Sequence, residues 1–148
     1  MNPQRQFRMD VSEDSRLVTV ETAKVALGVD LASIDAMIDE GALWAFNVSP
    51  KSVSRLREIR IWLRSLPGGL QRTEERIDAV ISDIVGPTQE LRCGEVQARL
   101  CVDDNTVHRL FQNGLLAGEH RRNTKTRTLW IFAPSLTRFL RTRVLGAV

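Results

Sequence analysis

The chain contains no run of about 18 apolar residues, so it offers no candidate membrane-spanning helix and no membrane partner is expected. Its first 16 residues are polar and lack an apolar core segment, which argues against a secretory signal. Only two cysteines occur, Cys93 and Cys101. They fall in one helical region without partnering histidine pairs, a separation that suits neither a zinc motif nor a disulfide framework, and they read as small semi-buried thiols. A reducing cytoplasm is the expected location. Only two histidines are present, His108 and His120, and they read as polar surface residues rather than metal ligands. There is no phosphate-cradling glycine loop, no paired-histidine metal motif and no recognisable nucleophile setting. An enzyme is therefore not expected, and neither a metal nor a cofactor is.

What is present is ordinary in bulk and uneven in distribution. A chain of 148 residues, 43% apolar and 26% charged, suits one compact domain or two small ones. The net charge of +3 hides an asymmetry. Residues 1–90 carry 11 Lys/Arg against 14 Asp/Glu, whereas residues 91–148 carry 10 against 4. A basic half on a near-neutral chain points to a polyanionic partner for that half.

Taken in order, residues 1–16 read as a flexible arm. Arg5 and Arg8 suit a minor groove, but Asp10, Glu13 and Asp14 follow them. Thr19 can cap a helix with Val20, Ala23, Ala26 and Leu27 on its inner face. Asp30 can cap a second helix carrying Ile34, Met37 and Ile38, which Gly41 is placed to end with positive φ. Residues 43–48 alternate like a strand, and residues 59–62 can return as its partner. Pro67-Gly68-Gly69 is a breaker. Thr73 can cap a helix over residues 74–85 whose stripe of Ile77, Val80, Ile81 and Ile84 either packs on its neighbours in the chain or pairs with a second subunit. Pro134 opens a last helix with Leu136, Phe139, Leu140 and Val144 inward and Arg138, Arg141 and Arg143 outward.

The first half of this grammar returns 73 residues later. Sliding residues 18–48 onto 91–121 without a gap matches Leu27 to Leu100, Val29 to Val102, Asp30 to Asp103, Gly41 to Gly114 and Leu43 to Leu116. The matched positions are a helix cap, a helix-ending glycine and core residues, and the apolar pairs Ile34/Val107, Met37/Leu110 and Ile38/Phe111 fall in step. Past a loop three residues shorter in the first copy, Ile61 meets Ile131, Ser65 meets Ser135 and Leu66 meets Leu136. An internal duplication follows.

In the second copy, Gly94-Glu95-Val96-Gln97-Ala98-Arg99-Leu100-Cys101-Val102 is followed by Asn105-Thr106-Val107-His108-Arg109-Leu110-Phe111 and Asn113-Gly114-Leu115-Leu116. This order resembles the excisionase-like and MerR-type winged helix-turn-helix DNA-binding family, over residues 91–140 and more loosely over 17–66. The fold the resemblance implies is mainly α with small β-wings, an α+β class. It would have tandem winged helix-turn-helix modules at 17–66 and 88–148, joined by a linker with a helix at 67–87. In that family the second helix enters the major groove and the hairpin wing touches the flanking backbone or minor groove.

The expected partner is double-stranded DNA. Arg109 can make a bidentate contact to guanine, and Asn105 or Gln112 to adenine. Thr106 suits a phosphate, and His108 and Asn113 share the exposed helix face. Arg121, Arg122, Lys125 and Arg127 form the wing, with Asn123 and Thr124 at its tip. The first copy exposes Ala32, Ser33, Asp35, Ala36, Asp39 and Glu40 instead, and carboxylates repel phosphates. It serves either protein contacts or dimerisation, or DNA contact through a wing bearing Lys51, Arg55, Arg57 and Arg60. A homodimer through the first module or the linker helix is one option. The expected role is sequence-specific DNA binding as a transcription regulator or recombination accessory factor; the alternative is a protein-interaction adaptor that keeps the fold without reading DNA.

Overall fold

The structure is a computed structural model that describes residues 16–51, 58–66, 71–123 and 125–145. The expected N-terminal arm up to residue 15, Arg55 and Arg57, the Pro67-Gly68-Gly69 breaker and Thr124 lie outside the described residues. Within them the chain is α+β, with two three-stranded antiparallel sheets. Its elements in order are β1 (Leu17–Thr19), α1 (Val20–Leu27), α2 (Leu31–Asp39), β2 (Ala45–Asn47), β3 (Ile59–Trp62), α3 (Glu74–Val85), β4 (Glu90–Arg92), α4 (Cys93–Leu100), α5 (Asp104–Gln112), β5 (Gly118–Asn123), β6 (Thr126–Phe132) and α6 (Ala133–Arg143).

Each sheet belongs to a strand–helix–helix–strand–strand unit, and the two units agree residue by residue. The strand orders are β1-β3-β2 and β4-β6-β5. Val18 pairs with Ile61 where Leu91 pairs with Ile131, and Ala45 pairs with Ile61 where Gly118 pairs with Ile131. The carboxylate of Asp30 accepts from Ser33 N at 2.9 Å, and that of Asp103 from Thr106 N at 2.8 Å, satisfying amides that a helix start leaves without partners. Gly41 and Gly114 end the second helix of each unit at φ 81° and 78°. Ser65 and Ser135 donate to Trp62 O and Phe132 O at 2.6 and 2.7 Å. Strands β1 and β4 are absent from the sequence reading. Each is only three residues long, too short to show an alternating pattern.

The cores are arranged less symmetrically than the elements. Val18, Ala45 and Ile61 point from the first sheet onto Val20, Ala23, Ile34, Ile38, Leu43 and Leu66, forming the first unit's own core. The opposite face of that sheet carries Leu17, Phe46 and Trp62, and with Trp44 and Val48 these join a larger core built from α3 and the whole second unit. That is why residues 43–49 are all buried, rather than alternating as a half-exposed strand would.

The apolar stripe of α3, extended by Val85, is buried in the same core. Of the two fates the sequence left open, packing within the chain is the one observed, so this stripe is not available as a dimer face. Outside the core, Asp83 of α3 accepts from Trp62 Nε1 at 3.2 Å and from Arg64 Nε at 2.9 Å.

Two of the three arginines expected to face outward on α6 make contacts within the chain. Arg141 pairs with Asp78 and Glu74 of α3. Arg143 donates to Ser49 O and Lys51 O at 3.0 and 2.9 Å, while Arg138 is exposed. The segment after α6 lies along β2, with Leu145 N donating to Ala45 O at 2.8 Å, and so covers an edge strand.

Because the first sheet shares its core with the second unit, the chain should unfold as one cooperative body. Ile81 is fully buried at the centre of this core, and Ile81→Ala should cost about 2–5 kcal/mol. Urea titrations followed by tryptophan fluorescence and by far-ultraviolet circular dichroism should shift together. Two separated transitions would contradict a shared core.

Candidate nucleic-acid interface

Helix α5 is strongly amphipathic because its sequence places Val107 and Leu110 on one side and polar residues on the other. Both apolar residues are fully buried, and Phe111 is partly buried beside them. Asn105, Arg109 and Gln112 are exposed on the outward side, and none of their side chains has a hydrogen-bond partner among the described residues.

The other three helix residues singled out by sequence are engaged with the protein. The Thr106 hydroxyl donates to Asp103 Oδ1 at 2.6 Å, as part of the helix cap. His108 Nδ1 lies 3.0 Å from Asp104 O, and its ring stacks on His120 of β5 with centroids 6.2 Å apart. Asn113 is the C-cap residue and donates from Nδ2 to Pro50 O of the first unit at 3.4 Å.

The basic hairpin divides by strand parity. His120/Leu129 and Arg122/Arg127 are cross-strand pairs on one face of the β5–β6 ladder; Glu119/Trp130 and Arg121/Thr128 lie on the other. His120 meets the edge of Phe111 at 5.5 Å, so its face is the one turned towards α5. Arg122 and Arg127 continue that face beyond the core, and both are exposed, as is Lys125 at the turn.

Arg121 is held on the opposite face. It donates to both carboxylate oxygens of Glu90, at 2.7 and 2.9 Å, and to Glu119 Oε1 at 2.6 Å. Its guanidinium carbon sits 5.0 Å from the Trp130 ring centroid, and Arg92 is 5.3 Å from the same ring. The four-cation wing expected from sequence is therefore three exposed cations and one arginine already neutralised by two carboxylates.

Electrostatics follow this division. The Arg121 hydrogen bonds hold the Glu90 carboxyl below the usual carboxylate range, and Arg121 is raised in turn. The Thr106 hydroxyl and amide hold Asp103 low, as the Ser33 hydrogen bonds do for Asp30. In the first unit, Arg60 donates from Nε to Cys101 O at 2.9 Å, so this wing cation bridges the two units. Asp35 in the middle of α2, Asp39 at its end and Glu40 just beyond it are exposed, as expected from the sequence.

The structure also brings Cys93 and His108, which read separately in the sequence, together with Asp104, which the sequence did not single out. Cys93, Asp104 and His108 have ligand-type atoms all within 4.8 Å of one another. The spacing of Asp104 and His108, one helical turn apart, is visible in the sequence. The approach of Cys93 depends on how α4 packs against α5. No family model, curated protein or solved structure matches the chain.

A carboxyl whose folded pKa is depressed adds stability above its ordinary pKa and loses it as pH falls through the lowered value. Glu90→Gln should therefore lower the urea midpoint near neutrality. The gap to the unaltered chain should narrow at acid pH, below the usual carboxylate range, as Glu90 becomes protonated in the folded state as well. A gap of equal size at both pH values would show that the Glu90–Arg121 pair is not its source.

Proposed function

We propose that this protein binds double-stranded DNA through the second unit, acting as a winged helix-turn-helix module in which α5 reads the major groove and the β5–β6 hairpin contacts the backbone. The observation that carries this reading is the Arg122/Arg127 pair. Like charges directly opposite on a ladder destabilise it, and a phosphate between them turns that repulsion into attraction. Lys125 adds a third cation, and the same hairpin face packs through His120 against the helix that exposes Asn105, Arg109 and Gln112. Under this reading Arg109 and its two amide neighbours contact bases, while Arg122, Lys125 and Arg127 position the module on phosphates. Thr106, His108 and Asn113 fix the helix rather than read the groove, and Arg121 braces the hairpin against β4.

The first unit then acts as a scaffold. Its sheet is covered on both faces and Arg60 is directed at the second unit, so a second DNA-contacting wing is not part of the proposal. The biological role that suits such a module is transcription regulation or assistance to recombination. The exposed carboxylates Asp35, Asp39 and Glu40 support a second reading, an adaptor that uses this acidic face to bind a basic protein partner.

Fluorescence anisotropy with selected and random duplexes separates these readings. Arg109→Ala should lose about 1–3 kcal/mol of discrimination at one base position. Arg122→Ala should weaken binding to all sequences alike and reduce the salt slope by about 1. Failure to bind any duplex at low salt would leave the adaptor as the better account, and equal loss across sequences for both variants would sink the division of labour.

A further inference from the structure

Cys93 is the first residue of α4 and is 8% exposed, whereas Asp104 opens α5 and His108 lies one turn further along it. Cys93 Sγ is 3.2 Å from Asp104 Oδ1, and His108 Nδ1 is 3.5 Å from the same oxygen. Gln97, one turn after Cys93, brings its side-chain amide to 3.6 Å from Sγ and 3.4 Å from Oδ1. Zinc bonds of about 2.0–2.1 Å to nitrogen and oxygen and about 2.3 Å to sulfur, arranged tetrahedrally, place neighbouring ligand atoms roughly 3.3–3.6 Å apart. Two of the three ligand–ligand distances are already close to that range.

We propose that Cys93, Asp104 and His108 form a binding site for one borderline-soft divalent d-block cation, of which Zn²⁺ fits the donor set best. The fourth position is filled by water or by the Gln97 amide turned to present its oxygen, a rotation that exchanges two atoms of nearly equal size. A thiolate and a carboxylate balance the charge of the cation. Hard cations such as Mg²⁺ and Ca²⁺ prefer all-oxygen shells and have no use for the sulfur.

Binding changes two protonation sites. The Cys93 thiol, pushed up to about 11 by burial and then by Asp104, gives its proton to solvent as the metal–sulfur bond forms. On His108 the Nδ1–H that donates to Asp104 O is given up: the ring proton moves to Nε2, which leaves the Nδ1 lone pair for the metal. The cation would fasten the start of α4 to the start of α5 and cancel the Asp104 charge beside Asn105. The site stands independently of the nucleic-acid reading, because its test uses no DNA.

The test is titration of the chelator-stripped full chain with Co²⁺, a spectroscopic substitute for zinc, followed by displacement with Zn²⁺. The expected result is one Co²⁺ per chain, a thiolate-to-cobalt charge-transfer absorption in the near ultraviolet, and visible bands as intense as tetrahedral cobalt gives. Cys93→Ser should abolish the charge-transfer band, and Cys101→Ser, at the exposed second thiol, should leave it unchanged. His108→Ala changes a side chain outside the buried core and should weaken affinity at least about tenfold with circular dichroism preserved, which keeps the test decisive if the Cys93 variant does not fold. Absence of the band from the unaltered chain, its loss in Cys101→Ser, or unchanged affinity in His108→Ala would overturn the proposal.

Discussion

Leu17, Phe46 and Trp62 sit on the side of the first sheet turned away from its own helices, and burying them determines how everything else is placed. A sheet with one apolar face can support a unit alone; a sheet with two must find a second layer. Helix α3 and the second unit supply that layer, and the polar contacts around it follow. Trp62 donates to Asp83 on α3, Arg60 reaches Cys101 O after α4, and Arg143 returns from α6 to the chain after β2. The helix between the units is thus part of a common core rather than a tether.

The same positions in the second sheet carry different chemistry. Glu90, Glu119, Arg121 and Phe132 occupy the ladder places of Leu17, Phe46, Val48 and Trp62, and Trp130 that of Arg60. Apolar residues there would require a third layer. Charged ones, tied to one another across a tryptophan ring, finish the sheet against water instead. One face of one sheet therefore separates a unit locked into the core from a unit left with an open surface.

Much of this was legible in the sequence, for reasons that can be named. The duplication was visible because caps, helix-ending glycines and core positions are tightly constrained: Asp30 and Asp103 must accept amides, and Gly41 and Gly114 must take positive φ. The helix over residues 74–85 was visible from its stripe, but not which surface it would cover. Side-chain partners across the fold were not legible. Arg121 and Arg122 are neighbours of the same type, yet strand parity sends one to Glu90 and the other to solvent. Parity could be assigned only once the pairing of β5 with β6 was known. Arg60 and Arg143 read as surface cations and bridge units instead, because their acceptors are carbonyls distant in sequence. The approach of Cys93 to Asp104 and His108 likewise depends on the packing of α4 on α5.

The two second helices show what the duplicated scaffold leaves open to change. At the 73-residue offset, Ala32, Asp35, Ala36, Asp39 and Glu40 stand where Asn105, His108, Arg109, Gln112 and Asn113 stand in the second unit. The inward positions kept their apolar character, since Ile34/Val107 and Leu43/Leu116 are buried in both. Of the outward positions in the second unit, those of Asn105, Arg109 and Gln112 are exposed, so their chemistry is set by what the helix meets. In the first unit the same face bears carboxylates. In the second, polar donors and an arginine lie next to three exposed cations, two of them placed opposite each other against their own repulsion. A hairpin folding for stability alone would bring opposite charges together, as this chain does on the other face, where Arg121 meets Glu119 of its own strand and Glu90 of β4. Keeping Arg122 and Arg127 opposed while neutralising Arg121 is coherent if an anion meets the side of the wing that continues from α5, which is the geometry the proposed function requires.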